Sequence, residues 1–429
     1  MKILFVSDYY PPFIKGGAEV STSLLVDWLS KKHQVNVVCR QLAKKSWNYN
    51  GVDIYPIMNY SDIGGGDFKS AITYAFGIFL SPAISSLKLL WLIFRLKPDI
   101  VQVVPSSYKF IPIILSVRLF ARVPVVVDCR DYSLICPTHL SADIKNFDDT
   151  KNTKHGYRCV KAGLTVGSKV LNLFAAPFAL YESLVFNFYK RSLMFTVNHG
   201  KRLKLVAISE YVRQQLVSNG YKSDTVSVIR NIAPVITQVH AGDIIKSETP
   251  FFIFAGRIDK DKGVWDILDA AKILKTRGCH FSIRIAGDGD DTEELKSFLK
   301  ENDFPQIKFL GKIRPDEVIT QYAQSLAILA PSRWPEPSGR FVIEAATVGK
   351  PLIATRSGGI PEGVEDGVTG FLVNISDPEQ LANAMEQFVL HPEKADEMRP
   401  AILAKRSLYD PEQIGQVRTK LYEVLFGIA

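Results

Sequence analysis

Cysteine is scarce in this chain, with five in 429 residues. Their odd number and the lack of any close pairing argue against a disulfide framework and point to a reducing compartment. A long clean apolar run is lacking too. Ala71–Leu87 is free of charge, but Pro82 divides it and Lys88, Arg95 and Lys97 follow at once. Gly163–Tyr189 is interrupted by Lys169 and Glu182. Both fall short of the roughly 20 apolar residues a membrane span needs. They are expected as helices in or against the first domain, with membrane-surface contact as the alternative. Met1 leads directly into the strand pattern Lys2-Ile3-Leu4-Phe5-Val6, which leaves no room for a signal peptide and predicts a cytoplasmic address. No Asp-x-Asp metal motif follows a strand, and Asp288-Gly289-Asp290-Asp291 reads as a turn and helix cap. No nucleic-acid motif appears either, and the lysines are scattered.

An acidic balance is missing from one half only. Residues 1–230 carry 29 Lys and Arg against 15 Asp and Glu, while the remainder carries 23 against 29. A basic half attracts anions such as acidic glycans, phosphorylated lipids or a membrane surface; the alternative is mere solubility. What the chain does have is a folded composition, 47% hydrophobic and 22% charged, and enough length for two α/β domains.

The first half alternates short β-branched runs with helical patterns. Ile3–Val6, Val35–Val38, Ile100–Val104, Val123–Val127, Leu205–Ile208 and Val226–Ile229 read as strands, and Ala18–Ser30 as a helix. Continuous rather than alternating apolar runs predict strands buried on both faces of a parallel sheet. After Asn231 a polar stretch ending near Pro250 reads as a linker. The alternation then restarts: strands at Phe251–Ala255, Phe281–Ala286, Ile307–Leu310, Leu326–Ala330 and Pro351–Ala354. Helices are predicted at Val264–Lys275, Thr292–Glu301, Pro315–Gln324, Phe341–Val348, Pro378–Leu390 and Pro411–Leu425. The expected organisation is a Rossmann-like domain at 1–235, a second at 236–408, and a terminal helix at 409–429 that packs back on the first.

Four segments carry candidate chemistry. In Arg333-Trp334-Pro335-Glu336-Pro337-Ser338-Gly339-Arg340-Phe341-Val342-Ile343-Glu344, a loop after a strand leads into a helix near Gly339. A helix start offers backbone N–H groups and a positive dipole end to a phosphate. Glu336 and Glu344, flanking it, could accept hydroxyls; alternatively they are a solvated loop residue and a helix-surface charge. In Gly256-Arg257-Ile258-Asp259-Lys260-Asp261-Lys262-Gly263, Arg257 and Lys262 could reach a diphosphate, or lie in a solvated loop. Gly16-Gly17-Ala18-Glu19 would let backbone approach a ligand closely, or simply makes a tight turn. Ser357-Gly358-Gly359-Ile360-Pro361-Glu362 sits at another strand end and is a ligand loop or an ordinary one.

Together these segments resemble the retaining GT-B glycosyltransferases of the group 1, or family 4, type with their E-x7-E motif. The resemblance spans nearly the whole chain and includes Pro11-Pro12, Ile208-Ser209-Glu210 and Val228-Ile229-Arg230-Asn231. It implies two doubly wound α/β domains facing a central cleft. It also implies a nucleoside diphosphate sugar as donor and a glycan or lipid-linked acceptor, which the basic first half would suit if anionic. No metal or cofactor is implied. By the same resemblance Arg257 and Lys262 hold the diphosphate, with backbone N–H groups of the Gly339-Arg340-Phe341-Val342 helix start and of Gly16 or Gly17. Glu336 holds the sugar ring, Glu344 the ribose, and Lys312-Ile313 border the base.

One position departs from the family pattern. Where many relatives place a histidine before Asp-Tyr, this chain has Arg130 in Asp128-Cys129-Arg130-Asp131-Tyr132. An arginine cannot act as a general base at neutral pH. It could bind a charged donor sugar, bind an anionic acceptor, or pair with Asp131. Cys136, His139, His155 and Cys159 match no standard zinc spacing, and the cysteines are expected to be structural. A catalytically silent sugar-nucleotide-binding subunit and a sugar-nucleotide epimerase are the alternatives to transfer.

Overall fold

The computed structural model describes residues 1–14, 16–40, 43, 45–58, 68–137, 171–234, 250–302 and 304–427; for 68–80 and 171–179 it describes the backbone alone. It divides into two compact units, Met1–Ile232 with Pro411–Ala429, and Ala233–Asp410.

The first unit is built on an eight-stranded sheet. Its strands are β1 (Lys2–Ser7), β2 (Gln34–Arg40), β3 (Trp47–Tyr49), β4 (Val52–Met58), β5 (Ile100–Val104), β6 (Val125–Cys129), β7 (Leu203–Ala207) and β8 (Val226–Val228), in the order β3-β4-β2-β1-β5-β6-β7-β8. All neighbours are parallel except the β3–β4 hairpin at the edge. β5 and β6 are buried along their whole length, as continuous Val and Ile runs require of strands covered on both faces. Helices α1 (Gly17–Ser30), α2 (Phe68–Leu96), α3 (Phe110–Ser116, continued by a π-helical turn Val117–Ala121), α4 (Leu171–His199) and α5 (Glu210–Ser218) connect these strands.

Pro82 does not divide the apolar stretch around it: it sits inside the continuous α2. Proline removes one backbone donor, but Leu89, Leu92 and Ile93 bury the following turns, and tertiary packing outweighs a single lost bond. Among the described residues no helix is long and apolar enough to cross a membrane.

The second unit has six parallel strands, β9 (Phe252–Ala255), β10 (Ile283–Ala286), β11 (Ile307–Gly311), β12 (Ile328–Ala330), β13 (Leu352–Thr355) and β14 (Gly370–Val373). Its helices are α6 (Val264–Thr276), α7 (Thr292–Glu301), α8 (Pro315–Gln324), α9 (Arg340–Val348), α10 (Pro378–Leu390) and α11 (Lys394–Ala404). Side-chain alternation along β9 splits the core into two layers. Phe252 and Phe254 pack with α6 and α10, whereas Phe251 and Ile253 pack with Val342, Ile343 and Ala346 of α9. The chain then returns to the first unit as α12 (Pro411–Phe426).

Candidate active site

The strand order of the second unit is β11-β10-β9-β12-β13-β14. Winding therefore reverses between β9 and β12, and the loops leaving these two strands part from one another. Such a switch point is where doubly wound sheets bind ligands. The segments 256–263 and 331–339 are the loops that leave β9 and β12.

The sequence makes the two loops fit closely. Gly263 has φ of 74°, and a Cβ there would lie 1.9 Å from the Pro331 carbonyl oxygen, so only glycine lets the chains pass. The Asp261 carbonyl accepts the backbone N–H groups of Arg333 (2.8 Å) and Trp334 (3.0 Å). Arg333 lies in the loop, but its guanidinium turns to Asp266 of α6, with Nε to Oδ2 at 2.9 Å and Nη2 to Oδ1 at 2.5 Å. That hydrogen bonding holds its pKa above the usual arginine value. Asp261 has its carboxyl raised by burial and by Asp259 beside it.

Where the loops meet, Lys262 Nζ donates to Glu336 Oε1 at 2.5 Å, and Ser332 Oγ donates to the same oxygen at 3.1 Å. Glu336 is buried at 7% exposure, so the solvated-loop alternative does not hold for it. Lys262 Nζ also stands 4.7 Å from the Trp334 ring centre. Arg257 differs: its side chain is 53% exposed and approaches Asp259 at 3.3 Å.

Helix α9 begins just after this loop. Gly339, with φ of 71°, turns the chain into it, and a Cβ there would meet the Phe341 ring at 2.7 Å. One turn on, Glu344 Oε1 accepts from Arg340 Nε at 2.9 Å, and both side chains of this pair are partly buried. Glu344 lies near enough to Tyr322 to add to the effect of burial, which raises that phenol well above its usual pKa. Lys312 is exposed and Ile313 half-buried, directly after β11. Asp288 forms the expected turn, accepting from Gly289 N and Thr292 Oγ1, while Asp291 occupies the cap position but takes the Trp265 indole N–H instead.

Ser357-Gly358-Gly359 proves to be a brace. Gly359 N–H donates to the Glu336 carbonyl at 2.7 Å, Ser357 Oγ to the Trp334 carbonyl at 2.9 Å, and a Cβ on Gly358 would collide with Glu336 backbone at 2.2 Å. The sequence reading gave no role to this bracing, to Ser332 or to the Arg333–Asp266 pair. A serine two residues past a buried strand was the only signal for Ser332.

The family profile described as glycosyl transferases group 1 matches residues 236–403, which hold both loops and α9. The match lies within the second unit. An uncharacterized glycosyltransferase of Methanocaldococcus jannaschii is 29% identical over 43% of this chain and 49% of its own length. The amylovoran biosynthesis glycosyltransferase AmsK of Erwinia amylovora is 26% identical over 48% of this chain and 52% of its own. The chain thus spans about half the length of these curated relatives. Anabaena HepE, solved with UDP and glucose, superposes with a TM-score of 0.65 at 19% identity, covering 98% of this chain and 99% of that one. The fold is GT-B, two Rossmann-like units, and the match to the group 1 glycosyl transferases lies in the second of them.

The remaining candidates belong to the first unit. Gly16 precedes α1, its N–H donating to Glu19 Oε2 at 2.8 Å, and Gly17 is the first helical residue. Arg130, just after β6, is 7% exposed. It donates to Asp128 Oδ2 (3.0 Å) and to the Ala18 carbonyl (3.0 Å), while Asp131 accepts the Ser133 N–H. Burial lowers the Arg130 pKa although Asp128 opposes that shift. Asp128 also takes Arg418 Nη1 at 2.5 Å and Gln102 Nε2 at 2.8 Å. Cys136 is buried; His139, His155 and Cys159 lie outside the described residues.

Proposed function

We propose that the protein transfers a sugar from a nucleoside diphosphate sugar to a glycan or lipid-linked acceptor and retains the anomeric configuration. The observation that carries this reading is the buried Lys262–Glu336 pair, set at the switch point immediately before the start of α9. An ion pair there is exchangeable. A diphosphate can take the Lys262 charge and the α9 N–H groups, which frees Glu336 to accept sugar hydroxyls. Arg257, exposed and loosely held, adds a second cation to the diphosphate. Glu344 accepts from the ribose, and Lys312-Ile313 border the base. In the transfer step the bond from the anomeric carbon to the phosphate oxygen breaks and the acceptor oxygen attacks from the same face. The acceptor proton passes to the leaving phosphate, and the cations stabilise the charge that develops on it.

The cytoplasmic setting rests on the scarcity of cysteine, and polysaccharide synthesis on the relative named for amylovoran biosynthesis. The bonds of Arg130 to Asp128 and the Ala18 carbonyl support a structural role for it, with Asp128 rather than Asp131 as the carboxylate partner. The reading is tested by screening nucleotide sugars for thermal stabilisation, then assaying transfer by mass spectrometry. A true donor raises Tm by mass action. Glu336→Ala should abolish transfer with the fold intact; full activity in that variant would overturn the assignment.

A further inference from the structure

The helical face made by α2, α3 with its π-helical turn, and α4 in the first unit carries an unusual surface. Helix α3 touches both α2 and α4, so the three form one layer. On α2, Leu87, Trp91 and Phe94 recur at helical spacing and are 61–69% exposed. The π-helical turn adds Phe120 at 68%, and α4 adds Leu184 and Phe188 at 62% and 67%. Isolated exposed apolar residues are ordinary, but aromatic stripes on adjoining helices mark an interaction site.

The charge among these residues has one sign. Residues 81–122 and 180–202 contain ten Lys and Arg against two Asp and Glu. Both acids are occupied within the fold: Glu182 is buried and accepts the Tyr108 hydroxyl at 2.9 Å, and Asp99 accepts the Lys2 backbone N–H at 2.7 Å. Arg95, Arg122, Arg191 and Arg202 are exposed. Arg118 is near enough to Arg202 for the like charge to add to burial in lowering its pKa. A second copy of the chain would set cations against cations. Exposed arginines on the same elements as protruding aromatic and leucine side chains match a surface with anionic headgroups over an acyl interior.

We propose that this face docks on an anionic lipid bilayer, its aromatic stripes entering the headgroup boundary and its arginines binding lipid phosphates. None of the residues assigned to donor binding or transfer lies on this face, so its test reads binding. The full chain is floated with vesicles of phosphatidylcholine alone and of phosphatidylcholine mixed with phosphatidylglycerol. Binding is expected only to the anionic vesicles and should fall with added salt. Arg95→Gln with Arg191→Gln should weaken it on the order of thirtyfold. Trp91→Ser with Phe94→Ser and Phe188→Ser should also release the protein, with unchanged melting and unchanged stabilisation by donor in both variants. Equal binding to neutral vesicles, absence of binding, or wild-type binding by both variants would overturn the proposal. So would a stable dimer that the apolar variant dissociates.

Discussion

A lysine and a glutamate meeting at 2.5 Å, with side chains only 18% and 10% exposed, have given up most of their hydration for one another. Removing one partner strands the other, whereas removing both leaves an apolar contact. Lys262→Met is therefore expected to destabilise the second unit by about 3 kcal/mol. Lys262→Met with Glu336→Met should recover most of that loss in urea denaturation, while neither variant is stabilised by donor. If the double variant is no more stable than the single, the pair is not a coupled unit. Ser332→Ala removes one neutral donor from Glu336 and should cost about 1 kcal/mol. Both members of the pair were legible as polar residues in loops after strands. Their pairing, 74 residues apart, depended on β9 lying beside β12, and no local pattern states which strands become neighbours.

At the scale of elements, three loops act as one body. The Asp261 carbonyl holds the loop after β12, and Gly359 holds it from the other side through the Glu336 carbonyl. Gly358 is the point at which this assembly has no slack, combining φ of 59° with a Cβ position 2.2 Å from backbone oxygen. Gly358→Ala should cost about 2 kcal/mol or more and weaken donor binding, although residue 358 itself is assigned no ligand contact. Calorimetry and thermal shift would check both, and undiminished donor affinity would show that the brace does not position Glu336. Parallel strands such as β5 were readable because burial on both faces leaves an unbroken apolar run. Strand β4 was not, since it alternates and contains Pro56, which a central strand ordinarily excludes. Here Pro56 sits beside the bulge between Cys39 and Arg40 and beyond the reach of β3. Strand β14, four residues beginning with a glycine, and α11, with Pro400 inside it, carried equally weak local signals.

At the scale of the whole molecule, the first unit is closed by residues from both ends of the chain. Arg418 of α12 reaches Asp128 across 290 positions, Tyr422 donates to Gln102, and Glu412 accepts the Trp28 indole N–H at 3.0 Å. Asp128 thus compensates two buried arginines, and Asp128→Asn should cost about 3–5 kcal/mol because both cations lose their counter-ion. Arg418→Met should cost less, since Asp128 keeps Arg130 and Gln102. Gly415 tests the docking of α12 by sign rather than size. Mid-helix glycine is unfavourable, and Gly→Ala in an exposed helix interior stabilises by about 1 kcal/mol. In this fold a Cβ at residue 415 would stand 2.4 Å from the Trp28 ring, a rigid group held by its own hydrogen bond to Glu412. Gly415→Ala must therefore shift either the indole or α12, and Tm is expected to fall. A rise in Tm would mean that propensity prevails because Trp28 does not press on α12.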